Sequence, residues 1–244
     1  MIVYPAIDIR GGRCVRLVEG DFDRETAFDA DPADAAGRWH AAGAEWLHVV
    51  DLDGAVMGAP VNTEAIRRIR DTVPIPIQLG GGLRSEEHVV AAFDLGVDRV
   101  VLGTAALRTP QLVARIAARW SDRLAVGLDA RDGRLAANGW LDQTDAAVED
   151  VAARLRRAGV QAFIFTDIRR DGTLTGPNLT ALSALVALLG RGVIASGGIG
   201  NIDDVVAVAL TAADGVIIGR ALYDGRIDLE AAIAAARIPE PARC

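Results

Sequence analysis

Gly80-Gly81-Gly82-Leu83-Arg84 ends one apolar run, and Gly197-Gly198-Ile199, 116 residues after Gly81-Gly82-Leu83, ends another. The same interval carries Leu102-Gly103-Thr104-Ala105 onto Ile218-Gly219-Arg220-Ala221. At an interval of 121 residues, Ala6-Ile7-Asp8-Ile9-Arg10 returns as Gly127-Leu128-Asp129-Ala130-Arg131, and Gly12-Arg13 as Gly133-Arg134. Asp51-Leu52 returns as Asp167-Ile168, and Asn62 as Asn178. Repeated apolar residues alone would describe only a repeated core. Repeated Asp and Gly at the ends of apolar runs describe two copies of one ligand-handling device, suited to a substrate with two similar anionic ends.

Around these repeats, short apolar runs alternate with helical patterns. Strands are expected at 2–9, 46–52, 76–80, 99–103, 124–130, 162–168, 193–196 and 216–219. Helices are expected at 32–42, 63–71, 86–95, 110–120, 146–158, 179–189, 202–211 and 229–236. Near-continuous apolar strands fit a parallel sheet covered by helices, and eight alternating pairs predict a single (β/α)8 TIM barrel over 1–244. Gly43, Gly96 and Gly159 each follow an Ala- or Leu-rich run, where a left-handed helix-ending residue is expected. The repeat divides the barrel into two duplicated half-barrels, about 1–122 and 123–244. A doubly wound sheet has the same alternation but gives no reason for equivalent loops to recur at half the chain length.

The totals narrow the function. A length of 244 residues suits one barrel domain, and 51% hydrophobic residues with 26 Gly exclude disorder. A net charge of −7 argues against a nucleic-acid surface, so an anionic substrate needs local donors. Only Cys14 and Cys244 are present, so no structural disulfide is expected and a reducing compartment is the default. With no charged leader and no apolar run of membrane length, the expected location is the cytoplasm.

In a (β/α)8 barrel the working face is the C-terminal end of the strands. Asp8 follows strand one, Asp129 strand five, and Asp171 lies in the turn Arg169-Arg170-Asp171-Gly172-Thr173 after strand six. Strands one and five face each other, so Asp8 and Asp129 are expected to look into one mouth. Asp51 and Asp167 run on into Leu52 and Ile168 and read as loop tethers. Gly81-Gly82 and Gly103-Thr104, with their copies Gly197-Gly198 and Gly219-Arg220, offer backbone N–H groups at helix starts and so predict two phosphate sites. Arg13 and Arg16 follow Asp8 and are candidates to hold a phosphate or ribose. Trp140, in a polar loop beyond Asp129, is expected to stack on a flat ring or pack its own loop. His40, His48 and His88 have no ligand partner at helical spacing, so no metal site is expected. His48 reads as a satisfied interior or near-surface residue, and Ser196 has no evident base.

Pro5-Ala6-Ile7-Asp8, Gly80-Gly81-Gly82-Leu83-Arg84, Gly103-Thr104-Ala105, Thr166-Asp167-Ile168-Arg169-Arg170-Asp171-Gly172-Thr173, Ala195-Ser196-Gly197-Gly198 and Gly219-Arg220-Ala221-Leu222 together carry a resemblance. Over essentially the whole chain they resemble the phosphoribosylformimino-aminoimidazole carboxamide ribonucleotide isomerases of histidine biosynthesis. The resemblance implies a metal-free Amadori rearrangement of an aminoaldose to an aminoketose, without a cofactor, on a substrate with two phosphates. It implies Asp8 as base and Asp171 as acid, with Asp129 orienting or auxiliary; the choice of proton donor between Asp129 and Asp171 stays open. Gly82, Gly103 and Thr104 would hold one phosphate, and Gly197, Gly198, Gly219 and Arg220 the other, with Trp140 over the imidazole carboxamide. No obligate protein partner is implied, and the expected state is a monomer.

Three rival readings differ from this one at particular residues. The sister cyclase, which uses ammonia, resembles this chain less at Ala6, Asp167 and Gly219–Ala221. An actinobacterial branch that also isomerises phosphoribosylanthranilate carries an Arg two residues before the loop Trp. Here that residue is Asn138, so weak or absent activity on the anthranilate substrate is expected. A non-catalytic phosphosugar-binding barrel could dispense with the three carboxylates that this chain has.

Overall fold

A computed structural model describes residues 1–137, 139–140 and 142–237. Eight parallel strands form a closed barrel. In chain order they are β1 (Ile2–Arg10), β4 (Leu47–Asp51), β5 (Ile77–Gly80), β6 (Arg99–Leu102), β7 (Leu124–Arg131), β10 (Ala162–Asp167), β11 (Val193–Ser196) and β12 (Gly215–Ile218). Each pairs with the next, β12 pairs with β1, and the pairing of β7 with β10 completes the circle. All eight expected strands are present, with ends shifted by a residue or so. The fold is therefore a (β/α)8 TIM barrel.

The helices that clothe it are α1 (Pro32–Ala41), α3 (Thr63–Thr72), α4 (Glu86–Asp94), α6 (Pro110–Trp120), α7 (Val148–Arg157), α8 (Leu179–Leu189), α9 (Ile202–Leu210) and α11 (Leu229–Ala236). Their starts are capped by Asp31, Ser85, Asn178, Asn201 and Asp228, whose side chains accept orphan backbone N–H groups. Gly43, Gly96 and Gly159 sit at φ +87°, +86° and +98°, the left-handed stops expected from the sequence. Strand residues alternate between two cores. Ile7, Val49, Ile77, Val100 and Val126 pack outward under the helices, while Tyr4, Ala6, Ala125, Ile164, Ile194 and Ile217 fill the barrel.

Two hairpins and three short helices, seven elements in all, lie outside the expected pattern at the mouth. Hairpin β2 (Arg13–Val18) and β3 (Asp21–Asp29) extends β1, and hairpin β8 (Arg134–Ala137) and β9 (Asp142–Ala147) extends β7. Hence α7 begins at Val148 rather than at 146, because Ala146 belongs to β9. Three short helices, α2 (Leu52–Met57), α5 (Thr104–Arg108) and α10 (Arg220–Tyr223), start directly at strand ends. The two hairpins occupy equivalent places after β1 and β7, and α5 and α10 equivalent places after β6 and β12. Cys14 is buried and free of any disulfide; Asn138 and Cys244 lie outside the described residues. Among the described residues no helix is long and apolar enough to cross a membrane.

Candidate active site

Of the site residues named from the sequence, all but Arg13 line the mouth cavity: Asp8, Arg16, Gly81, Gly82, Gly103, Thr104, Asp129, Trp140, Asp171, Gly197, Gly198, Gly219 and Arg220. The glycine turns come in matched pairs. Gly81 (φ +98°) and Gly197 (φ +88°) lie against the carbonyls of Asp51 and Asp167; a Cβ would stand 2.1 Å and 3.0 Å from those oxygens. Asp51 accepts hydrogen bonds from Gly54, Val61 and Asn62, and Asp167 accepts one from Asn178, so both act as the loop tethers expected. Gly103 and Gly219 open α5 and α10 with nearly the same backbone, φ −94°, ψ −101° and φ −107°, ψ −103°. Two similar clusters of backbone N–H groups thus flank the mouth.

The carboxyl groups lie between them. Arg16, placed beside Asp8 by the β1–β2 pairing, forms an ion pair with it at 2.5 Å. Burial pushes the Asp8 carboxyl up and the guanidinium only partly opposes it. Asp129 neighbours Thr166 across β7 and β10, and Thr166 and Trp140 hydrogen-bond its carboxylate; burial still holds it above the ordinary range. Asp171 is held by Asp171 N donating to the Asp167 carbonyl, and its own carbonyl accepts from Glu19 N, which docks the loop on the first hairpin. Burial and the like charges of Asp8 and Asp129 push the Asp171 carboxyl up to about 7. Two mutually repelling carboxyls in one pocket separate into an ionised and a protonated member.

The structure refines several expectations. Arg16 lies against Asp8 and close under Gly219, while Arg13 is exposed and pairs with Glu25 at 3.5 Å. Arg220 donates to the Gly172 carbonyl and pairs with Asp224, bridging the eighth loop to the sixth. Trp140 (φ +73°) lines the cavity and packs against Gly20 of the first hairpin. His48, read as a satisfied residue, lines the cavity with Nδ1 2.9 Å from Gln78. Tyr223 was not singled out; its hydroxyl donates to the Ala6 carbonyl and its ring lies under Arg16. Its place two residues after Ala221 carries no polar pattern that would announce it. Among the described residues no three His, Cys, Asp or Glu side chains gather into a metal-holding group.

With the mouth assembled, its likeness to known proteins can be stated. Residues 2–228 match the family model described as histidine biosynthesis protein. A protein of Chloroflexus aggregans is 52% identical over 237 residues, covering 97% of this chain and 98% of its own. One of Rhodopseudomonas palustris is 50% identical over 240 residues, covering 97% and 98%. One of Brevibacillus brevis is 47% identical over 235 residues, covering 95% and 94%. Each is named 1-(5-phosphoribosyl)-5-((5-phosphoribosylamino)methylideneamino) imidazole-4-carboxamide isomerase. A matched family model over nearly the whole barrel and relatives at about half identity place this chain in the histidine biosynthesis protein family.

Proposed function

We propose that this chain catalyses the same isomerisation as those relatives, converting the phosphoribosylamino end of the substrate from an aminoaldose to an aminoketose. The observation that carries it is the pair of unlike carboxyls across one mouth. Asp8 is tied to Arg16, and the Asp171 carboxyl is pushed up to about 7, so that it keeps a proton into the neutral range. The two glycine clusters suit the two phosphates, one at Gly81, Gly82, Gly103 and Thr104, the other at Gly197, Gly198, Gly219 and Arg220.

Asp171 gives its proton to the ring oxygen as the C1′–O bond breaks, and the amine lone pair forms the C1′=N bond of a protonated Schiff base. Asp8 removes the proton at C2′, and that electron pair becomes the C1′=C2′ bond of an enolamine. Proton return to C1′ and loss of the hydroxyl proton at C2′ give the ketone. Asp129, already accepting from Thr166 and Trp140, suits an orienting carboxylate better than a donor. Burial and the charges of Asp8 and Asp129 favour the protonated form of Asp171 against the opposing pull of Arg16, so the donor role is assigned to Asp171. The duplicated halves, the monomeric state, the cytoplasmic location and weak or absent activity on phosphoribosylanthranilate belong to the same reading. Conversion of the aminoaldose by purified protein without added ammonia is the test; an ammonia requirement would point to the cyclase, and growth of a complemented tryptophan auxotroph to a second substrate.

A further inference from the structure

One layer below Asp8, the barrel interior is polar in one half and apolar in the other. The register aligns Ala6 with His48, His48 with Gln78, and Gln78 with Arg99 across β1, β4, β5 and β6. The equivalent row aligns Gly127 with Ile164, Ile164 with Ile194, and Ile194 with Gly215 across β7, β10, β11 and β12. Three polar side chains thus stand where the repeat places Ile, Ile and Gly. The second half shows that the barrel closes without them, and burying polar groups costs stability unless each finds its partners. Gln78 is fully buried.

Its hydrogen bonds are directional. Arg99 Nε and Nη2 donate to Gln78 Oε1 at 3.1 and 2.7 Å. A guanidinium only donates, so the acceptor must be the amide oxygen and the amide nitrogen must face His48. That nitrogen is 2.9 Å from His48 Nδ1, which therefore accepts, leaving the ring hydrogen on Nε2. Arg99 is anchored in turn: Nη2 donates to the Tyr4 hydroxyl at 3.0 Å, and the guanidinium lies 4.5 Å from the Trp46 ring centroid. The charged groups facing the imidazole are Arg16 and Arg99, with Asp8 above Ala6 on the adjacent strand. Burial and the two cations push the His48 pKa down to about 3, so the ring stays neutral. Among the described residues no group hydrogen-bonds Nε2, and the ring lines the mouth cavity.

We propose that His48 donates its Nε2 hydrogen to the sugar oxygen on the carbon that Asp8 deprotonates, with Gln78 and Arg99 as positioning residues that fix this tautomer. The proposal rests on the isomerase reading. A neutral imidazole N–H stabilises charge developing on that oxygen without surrendering its proton.

The first test is nitrogen NMR on protein labelled at its three His. His48 is expected to show a pyridine-type Nδ1 and a pyrrole-type Nε2, constant from about pH 5 to about pH 9. Adding product should shift the Nε2 resonance. Replacing Gln78 by Glu puts an acceptor against Nδ1; kcat should fall at neutral pH and partly recover in acid, where both ring nitrogens carry hydrogen. His48→Phe, an apolar ring of similar shape where the other half carries Ile164, should fold and lose about 10²–10³-fold in kcat, as for removal of one preorganised donor. His48→Gln, which keeps an N–H near Nε2, should lose far less. A pyridine-type Nε2, an Nε2 resonance indifferent to product, or a His48→Phe protein as active as the wild type overturns the proposal. An inactive wild type overturns instead the isomerase reading.

Discussion

Asp171→Asn should stabilise the folded protein at alkaline pH while removing its activity. The Asp171 carboxyl titrates at about 7 in the fold against an ordinary 3.8. The folded state therefore binds this proton more tightly than the unfolded chain does. Below about pH 4 both states are protonated and the group costs nothing. As pH rises towards 7 the unfolded chain ionises freely while the fold resists, so stability falls across that window and levels off above it. At 1.36 kcal/mol per pH unit the full penalty is about 4 kcal/mol, of which about 3 kcal/mol is incurred between about pH 5 and pH 8. Asn has no such ionisation, and its loss of charge also relieves Asp8 and Asp129. Urea unfolding of both proteins at the two pH values measures it: the wild type should lose about 3 kcal/mol more than Asp171→Asn. Parallel losses would show that Asp171 titrates as an ordinary surface carboxylate, and the acid role would fall with it.

Asp8→Asn should abolish turnover yet leave substrate affinity, measured by calorimetry, within a few-fold, because the phosphate cradles are untouched. Arg16→Met removes the cation that opposes burial at Asp8, so the acidic limb of the kcat/KM profile should move to higher pH; an unmoved limb contradicts the pairing. Gly198→Ala places a Cβ 2.2 Å from the Gly176 carbonyl at φ +85°, which should cost about 1–3 kcal/mol of stability and weaken binding of the substrate. Inorganic phosphate competing equally well with both proteins would refute a role for that turn.

Much of this was legible because buried parallel strands are continuous apolar runs. The runs ending at Gly80 and at Ser196 mark β5 and β11 without help from tertiary context. The strand-end carboxylates and glycines were legible because the repeat shows them twice. The hairpins were not. Asp21–Asp29 is a mostly exposed ribbon with Asp, Arg and Glu at outward positions, so its composition is that of a loop. Its pairing is set by β1 running past the barrel rim, which no local pattern reports. Arg16 read only as a candidate phosphate or ribose holder, because its pairing with Asp8 is made through that hairpin. His48 looked inert because its meaning lies in lateral register with Gln78 and Arg99, residues 30 and 21 positions apart along the chain at each step.

The chemistry adds an asymmetry that the phosphate sites lack. Gly81-Gly82 and Gly197-Gly198 are similar turns on opposite halves of the mouth, whereas Asp8, Arg16 and His48 belong to the first half and Asp129 and Asp171 to the second. On the proposed reading, two similar cradles would hold a ligand whose two sugars meet different side chains.

The fate of the proton at C2′ reports most directly on Asp8 as the base. Wild-type protein given the aminoaldose deuterated at C2′, without ammonia, should yield the aminoketose with that deuterium lost and a primary isotope effect. Asp8→Asn should bind the same substrate and leave the deuterium in place. Deuterium loss at the wild-type rate in Asp8→Asn would contradict it.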